Sequence, residues 1–368
     1  MEQLNTTPLL KEYFKTQQQY EKKYGKQTIV IFEIGGFYEI FQNDDPPIGK
    51  AKELSDLLNI QMTLKNKSKK PDVKNPWMVG VPNYIIQKYL QKMIQAGYTV
   101  VKYDQKDIPD SKEKERVLDK IYSLGTYVSN EVPTTNYIVC IILEKINNLN
   151  YGHLSAIDLT TGVCKVFETF DRLDDTNRTE NEVFRFIHSL NPSEIIFEGE
   201  RKEDYINIYK LQSKIVHFRP LNKTYKEIVY QKTLLTKVYG KMEISPIEYI
   251  GLAQYPDLVI SLVMLLQFAY EHDHSVIKRI QKPELHNNEH TLILNKDSIY
   301  QLNIISSEGN RTKFSSLFKL LDFTNTNMGK RLLRERLLLP ITNPKELEKR
   351  YDLVEGMRFN YKTFANTR

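Results

Sequence analysis

The stretch GGFYEIF at residues 35–41 places a carboxylate between two phenylalanines, directly after the apolar run TIVIFEI. Because side chains alternate along a strand, Phe37, Glu39 and Phe41 are predicted on one face. In one interpretation this is an amphipathic strand with Phe37 in the core. In the other, Phe37 is an aromatic wedge, since proteins that bend DNA from the minor groove insert an apolar side chain between base steps.

A carboxylate beside such a wedge needs its own explanation, because DNA phosphates repel it. Glu39 is useful if it hydrogen-bonds to a displaced base edge and so penalises duplexes that cannot offer one. Inserting the Phe37 ring costs unstacking energy, and this cost is smallest where the base is already mispaired. Together, the two side chains suggest recognition of a weakened base pair.

A second candidate is the lysine cluster KNKSKKPDVK at residues 65–74, which holds five lysines and one aspartate. Such a cluster is either a solvated loop or a set of phosphate contacts, which position a protein on DNA without reading sequence. The candidate phosphate-contacting residues are Lys65, Lys67, Lys69 and Lys70, with Lys74 behind them.

Other chemistries find little support in the sequence. A P-loop requires GxxxxGK[ST], and none of the four GK pairs fits this spacing. An RNase H-type nuclease requires a carboxylate on its first strand to hold Mg²⁺, but YIVCIIL (137–143) has none. Asp158 is instead predicted to cap the turn that follows it. A nuclease remains a weaker alternative.

Composition sets the outer limits. A chain of 368 residues suits two or three domains, and 40% hydrophobic residues suffice for real cores. The net charge of +6 permits a polyanionic partner without requiring one. Cys140 and Cys164 lack metal-ligand spacing, and neither a secretory segment nor a bilayer span is evident. These features predict an intracellular protein in a reducing compartment, without zinc or membrane contact.

The first 125 residues predict a compact mixed α/β domain that carries the GGFYEIF stretch. A turn at Gly35-Gly36 joins two antiparallel strands, and a further strand and three helices surround them. The predicted helices are 7–25, 49–60 and 82–97, and the predicted strands are 28–34, 37–41 and 98–105.

Residues 126–245 predict a β-meander from Asn136 onward, then a helix, an Asn-Pro break and a strand at 180–200. This β-β-β-α-β order is how an RNase H-like α/β domain begins.

Residues 246–368 predict a helical domain. It contains a buried helix at 257–273, a short strand and helix start in HTLILNKDSIYQLNI, and a helix over 315–340. A last helix starts with Asn343 as N-cap and Pro344 at its first position. The chain stops at Arg368 just behind that helix, which predicts that more chain follows in the complete protein.

The stretch IFEIGGFYEIF resembles the mismatch-recognition signature of the MutS family, in which G-x-F-Y-E-[LI]-F follows a strand. The likeness continues in order along the chain. It includes PWMVGVP and the residues up to YDQ (76–105), LGTYV (124–128), GHLSAIDLTTGVCKVFE (152–168), NPSEIIF (191–197) and LFKLLDFTNTNMGKRLLRERLLLPITNPKELEKRYDLVE (317–355). Gly36 stands where the family often has Asp, and Asn83-Tyr84 replace its usual Tyr-His. The entry into the signature is similar to that of a divergent branch in large DNA viruses and octocoral mitochondria.

This resemblance implies a mismatch-recognition domain (1–125), an RNase H-like connector domain (126–245) and part of a helical lever domain (246–368). It implies Phe37 as the stacking wedge and Glu39 as the base-contacting carboxylate. Gly36 and the four lysines are further candidate DNA-binding residues.

The resemblance also implies that this chain is not itself an enzyme and holds no cofactor. The full-length protein would be an ATPase that binds ATP and Mg²⁺ through a P-loop beyond Arg368 and dimerises through that domain. The implied partners are double-stranded DNA with mismatches or small loops and a repair protein at the connector domain. The alternative is an interaction scaffold that does not bind DNA on its own.

Overall fold

The structure is a computed structural model, and it describes residues 6–108, 114–127, 136–199, 203–286, 290–306 and 312–359. The strands are β1 Thr28–Ile34, β2 Phe37–Asp44, β3 Pro47–Gly49, β4 Thr63–Leu64, β5 Trp77–Pro82, β6 Thr99–Asp107, β7 Lys114–Tyr122, β8 Tyr137–Ile146, β9 Leu149–Asp158, β10 Cys164–Phe170, β11 Glu194–Glu198, β12 Ile215–Arg219 and β13 Glu284–Leu285. The helices are α1 Pro8–Tyr24, α2 Ala51–Leu58, α3 Ile86–Gln95, α4 Arg178–Leu190, α5 Glu203–Ile208, α6 Ile228–Tyr239, α7 Pro246–Tyr249, α8 Pro256–His272, α9 Lys296–Gln301, α10 Leu317–Leu321, α11 Asn327–Leu338 and α12 Pro344–Phe359.

The first sheet has the strand order β4-β5-β2-β1-β6-β7, with β3 paired to β2. Strands β1 and β6 are parallel, and the other pairs are antiparallel. Helix α1 packs on one face, whereas α2 and α3 pack on the other through Ile40, Leu54 and Leu90. The predicted strands, the turn between them and the three predicted helices of this region are confirmed, and residues 83–85 of the last form a 3₁₀ turn.

Local sequence signals determine where helix α1 begins and ends. It begins after Thr7, whose hydroxyl accepts a backbone N–H of the first turn, and it ends at Gly25 with φ 96°. Between these ends, Tyr13 packs edge-on against Phe32 at 5.2 Å and Phe41 at 5.0 Å between ring centres. The helix therefore covers one stretch of the sheet face that β1 and β2 share.

The second sheet has the order β12-β11-β8-β9-β10-β13. Strands β8, β9 and β10 form the predicted antiparallel meander, and β11 and β12 then add in parallel beside β8. Asn191 ends α4 in the left-handed conformation with φ 49°, which confirms the predicted break between helix and strand. Cys140 and Cys164 are buried in this sheet as free thiols.

Helix α8 confirms the prediction of a buried helix at 257–273. Twelve of its residues are buried, and the Ser261 hydroxyl lies 2.9 Å from that of Ser155 on β9. The cluster around α8 also includes Val101 and Ile121 of the first sheet, so the two sheets share one core. Among the described residues, no helix has the length and apolar character needed to cross a membrane.

The strand predicted in HTLILNKDSIYQLNI is wrong for the part of this stretch that the structure describes. Residues 290–295 make only an isolated bridge, from Thr291 to Ile341, and Asn295 then caps α9 by accepting the Ser298 N–H at 2.8 Å. A lone apolar run forms a strand only if a neighbouring strand pairs with it.

The single helix predicted over 315–340 is also wrong, because the chain forms two helices here, α10 and α11. Asp322 ends the first helix and accepts the Thr324 hydroxyl at 2.6 Å, and Thr326 caps the second by accepting the Gly329 N–H at 3.1 Å. Short polar side chains that bond to nearby backbone compete with the helix and divide it. Helix α12 begins at Pro344 as predicted.

Candidate nucleic-acid interface

Phe37 is the first residue of β2 and stands at an open rim of the first sheet. Its neighbours in register are Ile34 on β1 and Pro82 on β5. The side chain is 48% exposed and belongs to none of the hydrophobic clusters that the described residues form. A Cβ atom on Gly80 would lie 3.7 Å from Phe37 Cδ1, so the ring lies over a glycine that leaves room for it.

The predicted alternation along β2 is confirmed, and exposure changes steadily along one face. Phe41 is buried beneath α1, Glu39 is half-buried and Phe37 is exposed. On the opposite face, Tyr38 and Ile40 are buried against α2 and α3. The interpretation that Phe37 lies in the core is therefore excluded, because its side chain is exposed and none of the hydrophobic clusters among the described residues includes it.

Glu39 lies on the same face as the exposed ring, opposite Phe32 and Gly80 in register. Burial raises the pKa of the Glu39 carboxyl above its ordinary value, while Lys65 and Arg116 act in the opposite direction. Within the described residues, the side-chain carboxylate of Glu39 has no hydrogen-bond partner. Its oxygens remain available to a ligand, as acceptors when ionised and also as a donor when protonated.

The turn before β2 is held by hydrogen bonds from two sides. Gly35 has φ 63°, and its N–H donates to Gln105 Oε1 at 3.0 Å. The Gln105 N–H in turn donates to Glu33 Oε2 at 2.9 Å. From the other side, the Asn83 N–H donates to the Gly36 carbonyl at 2.9 Å. These hydrogen bonds restrict the backbone conformation of the turn that carries the exposed ring.

Gly36 itself is exposed, and an added Cβ would meet nothing within 4 Å. The adjoining Tyr84 is also exposed and follows β5 on the same rim. Space at Gly36 is compatible with a close approach by another molecule.

The predicted lysines lie in the loop between β4 and β5. Lys65, Lys67, Lys69 and Lys70 are all exposed. Asn75 organises the loop, because its amide donates to the carbonyls of Asn66 at 3.0 Å and Lys69 at 3.3 Å. Of the four lysines, Lys65 is the one whose charge acts on Glu39.

Two residues that the sequence analysis missed complete the rim. Arg116 on β7 lies with its guanidinium 5.8 Å from the Phe32 ring and 4.0 Å from Glu12. Gln105 accepts the Gly35 N–H and so holds the turn. Neither role was predictable, because β7 itself was not predicted and the Gln105 contact spans 70 residues.

The residues considered for nuclease chemistry have structural roles. Asp158 is buried and accepts the N–H of Thr160 at 2.9 Å as well as its hydroxyl, which confirms the predicted turn cap. In the ranges that the structure describes, no group of three His, Cys, Asp or Glu residues is arranged to hold a metal ion.

Comparison with known proteins identifies both ends of the chain. The family model described as MutS domain I matches residues 7–131, and that described as MutS domain III matches residues 297–368. A DNA mismatch repair protein mutS homologue of Acanthamoeba polyphaga mimivirus is 30% identical, with 94% of this chain aligned to 34% of the relative.

Bacterial proteins named DNA mismatch repair protein MutS are similar to the same extent. That of Caldanaerobacter subterraneus is 30% identical over 98% of this chain and 39% of its own length. That of Thermotoga neapolitana is 28% identical over 96% of this chain and 39% of its own length. The chain thus spans little more than a third of the curated relatives that it matches.

Proposed function

The chain belongs to the MutS family of DNA mismatch-repair proteins, and we propose that it recognises mispaired bases in double-stranded DNA with Phe37 and Glu39. The observation that carries this proposal is the exposed Phe37 ring on a clamped turn, next to a half-buried carboxylate without a hydrogen-bond partner in the described residues. Neither an exposed aromatic ring nor a half-buried carboxylate without a hydrogen-bond partner stabilises a fold, so binding explains this pair better than stability does.

Phe37 would enter the minor groove at the mispair and stack on a base. Aromatic stacking on a base contributes roughly 1–3 kcal/mol. A matched duplex resists insertion because its own stacking must be broken at full cost, whereas a mispair is already weakened. Selectivity would therefore come from the deformability of the DNA more than from a unique pattern of base contacts.

Glu39 would bond to the displaced base edge. Its partly buried position matters, because removing water from a carboxylate raises the penalty for leaving it unpaired. Gly36 would let the backbone approach the DNA, and Lys65, Lys67, Lys69 and Lys70 would contact phosphates. These contacts position the duplex and carry no sequence information.

The architecture supports a division into three domains, at 1–125, 126–245 and 246–368. We infer that the second has an RNase H-like fold. Its antiparallel three-stranded meander is followed by α4 and then by the parallel strands β11 and β12. The third would be part of a helical lever. An ATPase domain with a P-loop that binds ATP and Mg²⁺, dimerisation through it, and a repair partner at the second domain are proposals for the whole protein.

The test compares Phe37→Ala with Phe170→Ala. Phe170 is a matched control, because it is 45% exposed but lies on the second sheet. Fluorescence anisotropy would measure binding to one duplex with and without a central mispair, and circular dichroism would check the fold. We expect Phe37→Ala to lose the preference for the mispaired duplex, by about 5- to 150-fold at most, and Phe170→Ala to keep it.

An unfolded Phe37→Ala variant would show instead that the ring is structural. Equal preference in the two variants would contradict the wedge. Negligible DNA affinity of the unmodified chain would favour the alternative, an interaction scaffold that does not bind DNA alone.

A further inference from the structure

A cleft far along the chain from the Phe37 rim lies between α4, α11 and the second sheet. Its volume is about 170 Å³, which is room for a small molecule or several waters. Tyr137 and Phe318 form apolar walls. The charged side chains of the lining are mostly basic, with Lys165, Lys330, Arg331 and Arg334 against the single carboxylate of Glu335.

The lysines of the cleft already have acidic partners. Lys165 Nζ lies 3.8 Å from Glu335, and Lys330 Nζ lies 3.0 Å from Asp322. The arginines do not, since no carboxylate among the described residues comes within ion-pair distance of Arg331 or Arg334. The cleft therefore holds two guanidinium groups whose charge the described chain does not neutralise.

Arg334 is the more informative of the two arginines. Its Nε donates to the His188 carbonyl at 2.7 Å, and its guanidinium lies 5.4 Å from the centre of the Phe318 ring. These contacts fix the group in the wall while the two terminal nitrogens donate to no described residue. Burial lowers the pKa of Arg334 to about 10, which reflects a charge removed from water without a matching anion.

The start of α11 adds to the same field. Asn327, the first residue of this twelve-residue helix, lines the cleft together with Lys330 and Arg331 from the first turn and a half. The amino-terminal end of a helix carries partial positive charge and favours anions. The helix end and the guanidinium groups therefore both favour an anion in the cleft.

We propose that this cleft binds a small phosphate-bearing anion, either inorganic phosphate or a phosphate monoester. Guanidinium forks bind the oxygens of phosphate in pairs, and a dianion balances the excess positive charge better than a single carboxylate does. The cleft is too small for a duplex, so this site is separate from the proposed DNA contact at Phe37.

The test titrates the whole chain with inorganic phosphate and with adenosine monophosphate by calorimetry, against chloride at equal ionic strength. We expect saturable binding of at least one of the two phosphates. Arg331→Gln, at the cleft, should weaken it by about tenfold or more, since a charge-assisted bidentate contact is lost. Arg336→Gln is the matched control, because Arg336 is exposed on the same helix and outside the cleft, and it should bind as the unmodified chain does.

Tighter binding of the nucleotide would assign the ligand as a phosphate monoester, and tighter binding of phosphate would assign the free ion. Absence of saturable binding, an equal response to chloride, or an equal loss in Arg331→Gln and Arg336→Gln would overturn the proposal. Arg334→Gln serves as a second variant if Arg331→Gln does not fold.

Discussion

The Phe37 rim of the first sheet and the Tyr24 junction beside the second sheet differ in how their charged and aromatic side chains are packed. At the Phe37 rim, an aromatic ring is exposed and the Glu39 carboxylate has no hydrogen-bond partner within the described residues. At the Tyr24 junction, where the end of α1 meets β12 and α8, aromatic rings and charges are packed into one network. Helix α1 connects the two regions, because Tyr13 packs edge-on against Phe41 near one and Tyr24 lies in the other.

The Tyr24 junction is built around two carboxylates. Glu194 is fully buried, accepts the Gly125 N–H at 2.8 Å, and lies 3.1 Å from His217 Nε2. His217 holds the pKa of Glu194 down, to about 2, against the opposing effect of burial.

Glu271 is the second carboxylate of the junction. It lies 2.8 Å from Lys23 and 3.3 Å from Arg219, and it accepts the Tyr24 hydroxyl at 3.4 Å. Burial opposes ionisation, but Lys23 and Arg219 lower the pKa of Glu271. Both junction carboxylates are thus kept charged by groups of the chain itself.

The two regions differ in whether their carboxylates already have partners in the chain. A carboxylate that already has its partners, as Glu194 has, stabilises the fold and has nothing left to offer a ligand. A half-buried carboxylate beside an exposed ring, as Glu39 is, stabilises little and can bind. Substitutions at the junction should therefore change stability, and substitutions at the rim should change DNA selectivity.

The largest effect is expected for Glu194→Ala. The substitution leaves His217 and the Gly125 N–H without their partner in a buried site, which should lower the free energy of unfolding by about 3–5 kcal/mol. Urea denaturation measures it. Glu198→Ala, at the end of the same strand, should cost far less, and a similar loss in both variants would contradict the role assigned to the junction.

A smaller loss of stability is expected at acidic pH. Burial lowers the pKa of His272 from 6.5 to about 4, with Arg219 and His217 acting in the same direction and Glu194 and the Phe268 carbonyl opposing them. The unfolded chain binds a proton here at higher pH than the folded chain does. Stability should therefore fall as pH drops from 6.5 towards 4, by about 1.4 kcal/mol per pH unit for this group.

Urea denaturation at several pH values between 7.5 and 4.5 checks this dependence. His272→Asn, which can still donate to the Phe268 carbonyl, should show a shallower slope. Glu194 contributes only at lower pH, since its stabilisation is complete above 4.5 and is lost as pH falls towards 2. An unchanged slope in His272→Asn would show that another group titrates.

At the rim, Gln105→Ala should act on selectivity more than on stability. It removes the acceptor that holds the Gly35 N–H, so the turn gains freedom and the mispair preference should fall by about 1 kcal/mol, or roughly fivefold. Gln105→Glu keeps an acceptor and should restore most of the preference. The same anisotropy titration measures both, and equal loss in the two variants would contradict the clamp.

The smallest effect is expected for the double variant Lys69→Gln, Lys70→Gln. Each lost phosphate contact should reduce the slope of log affinity against log salt by about 1, equally for matched and mispaired duplexes. Lys145→Gln, an exposed lysine on the second sheet, is the control. An unchanged slope would leave the cluster as a solvated loop.

Elements with local sequence signals were predicted correctly. Helix α1 carries its own caps, the turn at Gly35-Gly36 separates two apolar runs, and the β-meander has strand character in each run. The alternation that puts Phe37, Glu39 and Phe41 on one face needs only the period of a strand, and it is confirmed.

Prediction failed where a partner lies far away in the chain. Strands β5, β7 and β12 were not predicted, and the apolar run before α9 found no partner strand. The exposure of Phe37 could not be predicted either, because it depends on which distant parts of the chain pack over this face of the sheet. The domain boundaries and the DNA-contacting roles stay predictions.

The most direct test places a photoreactive benzoylphenylalanine at position 37 and maps its crosslinks on DNA. If the ring at this position stacks at the mispair, adducts should form at the mispaired nucleotides and their immediate neighbours, and a matched duplex of the same sequence should give few. Equal yields on both duplexes, or adducts scattered along the mispaired one, would contradict the account.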